Sequence, residues 1–364
     1  MQSARYSNGS HRNAPFSSLV HNTPIGAHVK QTFSIRTLLV GIVLIIVLAV
    51  VILRGDQIVE LAETIKQGSM LPIVVALVLQ LGKYALQSLG YHFSFKAIGE
   101  SYAIKHTLPL VFGTFFMNTI APSANLAGIT LVVDDARQRG ISSGKAGSAA
   151  LLMQITIDAA FALIVLVGFG ALAVSVGLPG GWFFLGLVDI VVVLIMIGVL
   201  FLGRIHKALL IHILTVVDAL ITKILALVKR KPLSPWVHKT ADSFEEAADF
   251  IVRYPRYTLE AFACSLGASL CELTCFILVG IAFGVTGVQA LVCGYVVATL
   301  FAMFSITPQG VGFVETAVTL AFTTFGESSA AGLSIGLVYR GIVFWMPFLI
   351  GAVLIQTTSS FKRR

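Results

Sequence analysis

The stretch Ile306-Thr-Pro-Gln-Gly-Val-Gly-Phe-Val-Glu315 decides how the rest of this 364-residue chain can fold. It interrupts residues 273–314, the longest run without a charged side chain, and it ends in a carboxylate. Proline removes a backbone N–H and glycine costs backbone entropy, so Pro308, Gly310 and Gly312 should break a helix here. Backbone without helical hydrogen bonds cannot face lipid, so this break must be buried in protein or line a wet cavity.

The composition around this stretch is that of a membrane protein. Hydrophobic residues make up 57% of the chain and charged residues 12%, and the mean hydropathy is +0.91. Since an apolar helix of about 20 residues crosses a bilayer, the chain has length for about six to eight spans. We therefore predict an all-α fold, a polytopic integral membrane helical bundle. Little length is left for a soluble catalytic domain, and we predict that the protein is not an enzyme.

The distribution of basic residues predicts the topology. The chain has 25 Lys and Arg against 17 Asp and Glu, and in a membrane protein this excess reports orientation rather than nucleic-acid binding. If both proline-containing breaks are re-entrant, nearly all basic residues fall on one side, in the segments 1–35, 91–106, 134–145, 204–257 and 359–364. This asymmetry predicts that both termini are cytoplasmic.

The same pattern divides the chain. Residues 1–35 are polar and read as a disordered cytoplasmic tail, residues 36–358 as the transmembrane domain beginning with a span over 37–53, and residues 359–364 as a basic cytoplasmic C-terminus. Residues 204–257 form an amphipathic cytoplasmic insertion, through which (over 204–256) a partner could dock. A true span over 208–228 is rejected, because it would scatter the basic residues over both sides.

Two smaller patterns concern the insertion and the cysteines. The sequence Ser243-Phe-Glu-Glu246 is a capping-box pattern and predicts the start of a short helix, whose apolar face is Phe244, Ala247, Ala248 and Ile251. The four cysteines all lie in apolar runs and are interpreted as packing residues, so neither a metal site nor any other cofactor is predicted.

A second broken segment lies in the first half of the chain. Residues 107–133 carry no charge, yet Pro122 interrupts them and Ser123 can cap the helix that follows. This segment is either one kinked span or a re-entrant hairpin. In the second case, Pro122 and Pro308 each precede a half-helix, a serine-containing turn and a full span, in opposite orientations. Such inverted repeats are typical of a transporter-like site at the midplane, and two independently kinked helices are the alternative.

The break at Pro308 has chemical consequences. A half-helix that begins after it would aim unpaired N–H groups and a positive dipole end into the membrane, which suits an anion such as phosphate. Glu315 could stabilise the first turn of that helix, pair with Arg340, or meet a cationic headgroup. Because a buried charge without a partner is costly, we favour the pair, although Arg340 could instead hold a lipid phosphate.

Asp158, in the helix after the first break, is a further candidate. An ionisable residue inside a span is a functional hypothesis by default. A polar contact to Gln154 or Thr156 is the structural alternative.

Both breaks resemble one family. The sequence Pro122-Ser-Ala-Asn-Leu-Ala-Gly128 leading to Ser143, and the sequence Thr307 to Glu315 followed by Tyr339-Arg340, are similar to the flippase-like transmembrane region of lysylphosphatidylglycerol synthases and its stand-alone relatives. The resemblance extends from about residue 37 to 357. In the first half, Ala124 and Asn125 stand where relatives often have glycine.

The resemblance implies a multi-pass protein of the plasma (inner) membrane that binds or translocates an amphipathic lipid, an anionic or aminoacylated phospholipid. Full-length synthases carry an aminoacyl-transferase domain after the membrane part, so this chain is expected to lack synthase activity. The alternatives are transport of a polyprenyl-linked glycan and a membrane scaffold that moves nothing. The candidate lipid-binding and translocation residues are Glu315, Arg340, Pro308, Gly310, Gly312, Pro122, Ser123, Asn125, Gly128 and Asp158.

Overall fold

The structure, a computed structural model, describes residues 69–120, 125–175, 177, 180–227, 237–304 and 308–357, and every regular element in these ranges is helical. The α-helices are α1 Met70–Ala97, α2 Ile104–Ile120, α3 Leu126–Gln138, α4 Ser143–Ser175, α5 Gly180–Ile205, α6 Lys207–Leu227, α7 Val237–Arg253, α8 Pro255–Ala282, α9 Val288–Phe304, α10 Phe313–Thr324, α11 Ser329–Arg340 and α12 Met346–Thr357. A 3-10 turn, Pro308–Gly310, precedes α10, and a π-helical turn, Gly341–Trp345, joins α11 to α12. The predicted tail, first span and basic C-terminus lie outside the described residues.

Long apolar helices make this a polytopic membrane protein, as the composition predicts. Within the described residues, five helical runs are long and apolar enough to cross a bilayer: α1, α4, most of α5, α8, and the run from α11 into α12. Their outer faces carry exposed apolar side chains, for example Leu71 and Val78 on α1 and Leu194 on α5. Exposing such apolar faces to water would be unfavourable, whereas in a bilayer they contact lipid.

The first broken segment is a hairpin rather than one kinked span. Helices α2 and α3 pack against each other on either side of the reversal, and the Gly128 N–H donates to Asn118 Oδ1 at 2.7 Å across the pair. The open ends also meet, because Arg139 Nε, just after α3, donates to the Tyr102 hydroxyl, just before α2, at 3.2 Å. The chain therefore returns to the end of the bundle from which it entered.

The second broken segment, α9 with α10, is a hairpin of the same kind that opens at the other end. Near the start of α9, Gln289 Nε2 donates to the Gly177 carbonyl at 3.4 Å. Phe325, just past α10, lies with its ring centroid 5.4 Å from that of Trp182 on α5. Both contacts lie at the end where α4 gives way to α5, which is opposite to the open end of the first hairpin.

Contacts between loops define the two ends of the bundle. At one end, Lys145 pairs with Glu100 at 2.6 Å and Arg204 pairs with Asp249 at 2.7 Å. At the other end, the Ser69 N–H donates to the Ala282 carbonyl at 2.9 Å. These groupings match the two sides assigned from basic residues, and the membrane face of each end stays a prediction.

Helix lengths agree with an inverted repeat. Helices α1 and α8 each contain 28 residues, α2 and α9 each contain 17, and α3 and α10 contain 13 and 12. The start of α1 meets the end of α8, so these two closely packed helices run antiparallel. The order long helix, hairpin, long helix thus occurs twice with opposite direction.

Helix α7 corrects one sequence-based boundary. It begins at Val237, so Ser243 lies inside the helix and does not cap it. Ion pairs from Lys207 Nζ to Asp242 and Glu245, at 2.6 and 2.7 Å, tie α7 to α6 on both sides of Ser243. Hydrogen bonds to these carboxylates raise the pKa of the Lys207 ammonium. The apolar face is as predicted, since Ala247 and Ala248 are buried against the ends of α4 and α5.

Candidate functional site

A cavity of about 220 Å³ lies where the tips of the two hairpins meet α1, α4, α8 and α11. At ~30 Å³ per water molecule, this space equals roughly seven waters, enough for a polar headgroup but not for acyl chains. Aromatic rings of Phe115, Phe161, Tyr295 and Tyr339 form part of the wall. The charged and amide side chains in the wall are Lys83, Gln87, Asn125, Gln154, Asp158, Glu272, Gln309 and Arg340.

Arg340 is the most deeply buried cation in the cavity wall. Its side chain is 5% exposed, its Nη1 donates to the Gln309 carbonyl at 2.8 Å, and its guanidinium carbon lies 4.4 Å from the centroid of the Phe344 ring. Nε lies 3.6 Å from Glu315 Oε1, and neither Nε nor Nη2 has a hydrogen-bond acceptor among the described residues. A buried guanidinium with two unused nitrogens can accept an anionic ligand from the cavity.

Glu315 performs two of the roles considered from the sequence. Its Oε2 accepts the Gly312 N–H at 2.8 Å, which stabilises the start of α10, while Oε1 faces Arg340. The carboxylate thus ties the helix end to the guanidinium. Because the chain's own acid already occupies the Gly312 donor, we assign attraction for an external anion to Arg340 rather than to this N–H.

The break before α10 needs unusual backbone conformations. Gln309, Gly310 and Gly312 have φ of 50°, 74° and 89°, all in the left-handed region. At Gly310 a Cβ atom would also lie 2.8 Å from the Phe301 carbonyl oxygen, so only glycine fits. With this left-handed conformation, the backbone carbonyl of Gln309 accepts a hydrogen bond from Arg340. No pattern in the sequence predicts that contact.

Among the described residues, the first hairpin contributes fewer side chains to the cavity than the second. Asn125, at the N-cap of α3, has φ of 68° and lines the cavity. Gly128 instead lies beneath α2, where a Cβ atom would come within 2.7 Å of the Asn118 side chain. Pro122 and Ser123 lie outside the described residues.

An ion pair that was not predicted from the sequence joins the two halves. Lys83 on α1 pairs with Glu272 on α8 at 2.5 Å, with side chains 13% and 12% exposed, and both line the cavity. The only hint of this pair in the sequence was that a lysine and a glutamate each lie within an apolar span. Their pairing depends on the register of two antiparallel helices, which the sequence does not state.

Asp158 and Asp189 are buried acids with different surroundings. Asp158 is 6% exposed, and both of its oxygens accept from Gln154 Nε2, at 2.9 and 3.0 Å. The polar contact expected for Asp158 is thus with Gln154, while Thr156 bonds to Ser265 at 3.0 Å instead. Asp189, which the sequence analysis did not single out, is 1% exposed, and its oxygens meet no donor among the described residues.

Equivalent positions of the two halves supply polar groups to the same cavity. Gln87 and Glu272 are each the eighteenth residue of their helices, α1 and α8. Gln154 and Arg340 are each the twelfth residue of α4 and α11. At these two pairs of equivalent positions, the first half contributes a neutral amide and the second half a charged side chain. The two halves therefore line the cavity from equivalent positions but with different charges.

An apolar groove of about 730 Å³ lies on the other side of the second hairpin tip. Trp182 on α5, Phe301 on α9, and Phe313 and Leu320 on α10 line it, and it reaches Gly312. Since residue 309 lines the cavity and residue 312 lines the groove, the same short turn separates the polar space from the apolar one.

Fold and cavity together define the class: a multi-pass helical membrane protein built around two broken hairpins that open at opposite ends. The chain belongs to the family of lysylphosphatidylglycerol synthase transmembrane regions, whose sequence profile matches residues 38–351. This confirms the resemblance seen in the two broken segments. A UPF0104 membrane protein of Methanothermobacter thermautotrophicus is 22% identical over 325 residues, which cover 85% of this chain and 90% of that relative.

Proposed function

We propose that this protein binds the phosphate-bearing headgroup of an amphipathic membrane lipid in the central cavity and moves that lipid between the two leaflets. The observation that carries the proposal is Arg340, a buried cation in the cavity wall with two nitrogens free of hydrogen bonds to the described residues. The family's link to a phospholipid supports the choice of lipid as the cargo.

The charge balance around Arg340 favours an anionic group. Removing a guanidinium from water costs several kcal/mol, and a partner at hydrogen-bond distance is needed to offset this cost. Glu315 is the nearest acid, but it stands at 3.6 Å and its second oxygen is engaged with Gly312. A phosphate in the cavity would meet the planar fork of Arg340 with two oxygens at once.

The acidic part of the cavity wall suits a cation. Asp158 and Glu272 both line it, and Glu272 already binds the Lys83 ammonium, which shows that an ammonium group fits here. A headgroup with a phosphate and an amine, such as an aminoacylated phospholipid, would place its phosphate at Arg340 and its amine near these acids. This arrangement supports an anionic or aminoacylated cargo.

The groove beside the tip offers a place for acyl chains. It is largely apolar, its lining residues Phe313 and Leu320 are exposed on the surface of the bundle, and it begins at Gly312, one turn from the headgroup cavity. A lipid could therefore keep its tails in hydrocarbon while its headgroup passes the hairpin tip. The broken hairpins, which open at opposite ends, provide the two elements that alternating access requires.

Translocation in liposomes tests the proposal. Purified protein is reconstituted with fluorescent phosphatidylglycerol, and a membrane-impermeant reductant bleaches the outer leaflet. The wild-type protein should expose the inner-leaflet label, whereas R340Q should slow this exchange at least tenfold. The matched control R204Q removes an arginine that pairs with Asp249 at the bundle end, far from the cavity, and should behave as the wild type.

Parallel reactions with lysyl-phosphatidylglycerol and a polyprenyl phosphate identify the cargo. Equal rates for R340Q and wild type would contradict the assignment of Arg340. Failure of the wild-type protein to move any of the three lipids would contradict transport and favour the scaffold alternative.

A further inference from the structure

We propose that the π-helical turn Gly341–Trp345 is the hinge about which the two hairpins move relative to each other, and that Phe344 passes headgroup binding at Arg340 to this hinge. The link to lipid rests on the proposed function, whereas the hinge itself does not. The turn lies inside the apolar run Ser329–Ile355, which is long enough to cross a bilayer. A hinge there divides one membrane span into two halves, α11 and α12.

The first half of this span, α11, is fixed to the second hairpin. Gly332 and Gly336 on α11 face α10, where added Cβ atoms would lie 2.9 Å from the Thr319 Cα atom and 3.3 Å from the Glu315 Cα atom. Glycines four residues apart let two helix backbones pack closely inside a membrane. Helix α11 and the second hairpin should therefore move as one body.

The second half, α12, is fixed to the first hairpin instead. It packs along α2, and a Cβ atom at Gly351 would collide with the Phe112 carbonyl oxygen and lie 2.9 Å from the Phe116 Cβ atom. The ring centroids of Phe116 and Phe348 lie 5.1 Å apart between the same two helices. One span is thus attached to a different hairpin on each side of the turn, so movement between the hairpins must be taken up between these attachments.

The backbone of the turn favours bending at this point. The Met346 N–H donates to the Gly341 carbonyl, five residues back instead of the usual four. Pro347 has no N–H, so it cannot make the next α-helical bond, to the Val343 carbonyl. π-helical turns and prolines are both recurrent causes of helix kinks. Gly341 has helical dihedral angles, φ −54° and ψ −44°, and its missing Cβ leaves open space, so the turn has room to change.

Phe344 connects the turn to the headgroup site. The centroid of its ring lies 4.4 Å from the Arg340 guanidinium carbon and 6.3 Å from the ring centroid of Phe115 on α2, and all three residues line the cavity. Arg340 precedes the turn and Phe344 lies in it, so their stacking depends on the conformation of the turn. An anion that competes for the guanidinium therefore shifts the balance between conformations of the turn.

Distances between spin labels test the hinge without reference to transport. In the full chain without its four native cysteines, labels at the exposed positions Ser329 and Leu349 bracket the turn, about 30 Å apart at 1.5 Å per residue of helix. This chain should show two separations, and P347A, which restores the missing N–H, should show one. The control positions Leu259 and Ile281, on the uninterrupted helix α8, should show one separation in both. A single separation without P347A, or two that persist with it, would overturn the hinge.

The response of these distances to lipid tests the role of Phe344. Phosphatidylglycerol should change the ratio of the two separations, and a neutral glycolipid with the same acyl chains should not. F344L should keep both separations and lose this response. A response that survives in F344L would overturn the role of Phe344. No response in the unsubstituted chain, with phosphatidylglycerol seen bound by native mass spectrometry, would overturn the link between headgroup and hinge.

Translocation in liposomes relates the hinge to the proposed function. P347A should move fluorescent phosphatidylglycerol at least tenfold more slowly than wild type, because the span can no longer bend between the hairpins. The matched control P109A, which changes the proline inside α2, should move it at the wild-type rate. A wild-type rate in P347A would overturn the hinge and leave the proposed function standing. Two separations in a protein that moves no lipid would refute the proposed function and leave the hinge standing.

Discussion

Arg340 shows how one side chain can both hold a broken helix and face a ligand. Its Nη1 donates to the Gln309 carbonyl, in the break, at 2.8 Å. Its Nε and Nη2 are buried without an acceptor among the described residues, and the residue lines the cavity. The sequence predicted its pairing with Glu315 because both charges lie in apolar runs. It did not predict the contact with Gln309, since that requires a left-handed residue that is not glycine.

Substitutions at Arg340 should separate these two roles. R340K keeps a positive charge that can reach the Gln309 carbonyl, but it loses the planar fork. We expect R340Q to lower stability by about 1.5–3 kcal/mol, the usual contribution of a hydrogen bond to a charged group, and R340K to lower it less. Thermal unfolding in detergent measures this. A purely structural Arg340 would give R340K wild-type lipid translocation, which our account excludes.

Substitutions at Glu315 should separate its cap from its charge. E315Q keeps an oxygen that can accept the Gly312 N–H, whereas E315A removes the cap. We expect E315A to cost about 1 kcal/mol more than E315Q in thermal unfolding, as for other helix caps. Equal losses in the two variants would show that only the charge opposite Arg340 matters.

At the level of helices, the two breaks were predictable from the sequence. The choice between a hairpin and a kinked span at Pro122, and the contacts between the two halves, were not. Proline and glycine in an uncharged run are a local signal, and they marked both breaks. The pair Lys83–Glu272 and the burial of Asp189 depend on how distant helices align, which no local pattern records. The predicted start of α7 was wrong because the helix begins at Val237, and the turns around Ser243 are held by ion pairs from Asp242 and Glu245 to Lys207, which is a tertiary feature.

The glycine at the second tip should be irreplaceable for steric reasons. Gly310 and Gly326 have φ of 74° and 84°, so alanine strains both, by about 1–2 kcal/mol. Only at Gly310 would a Cβ atom also collide with backbone, at 2.8 Å from the Phe301 carbonyl, because Gly326 has open space around it. G310A should therefore lower the unfolding temperature clearly more than G326A. Similar shifts would mean that the tip is not packed as described.

The ion pair between α1 and α8 should behave as a buried pair. K83Q alone leaves Glu272 buried without its partner, which should cost about 3 kcal/mol, and the double variant K83Q/E272Q should recover much of that loss. The exposed pair Arg204–Asp249 is the control, and R204Q should cost less than about 1 kcal/mol. Thermal unfolding of the variants gives the comparison, and additive losses at positions 83 and 272 would argue against a coupled pair.

At the scale of the whole molecule, the described loops group at two ends of the bundle as the count of basic residues predicts, and the sides of the two termini stay a prediction. The segments around residues 100, 145, 204 and 249 meet at one end of the bundle, and residues 69, 177 and 289 meet at the other. The count of basic residues groups the loops because short loops rich in Lys and Arg stay on one side of a membrane. The central cavity was beyond such reasoning, because it is formed by side chains from both halves.

Labelling of single cysteines should establish which end faces the cytoplasm. Starting from a variant without the four native cysteines, a cysteine is placed at the exposed position His238 on α7 or Thr286 between α8 and α9. A membrane-impermeant maleimide should label Thr286→Cys in intact cells and His238→Cys only after the cells are opened. The reverse pattern would invert the predicted topology.

Selective retention of a lipid by the purified protein tests the central claim most directly. Native mass spectrometry compares phosphatidylglycerol with a neutral glycolipid that carries the same acyl chains, bound to wild type, R340Q and the control R204Q. Our account predicts that wild type and R204Q retain the phospholipid preferentially and that R340Q loses this preference. Equal retention of both lipids by the wild type, or an undiminished preference in R340Q, would contradict a headgroup site at Arg340.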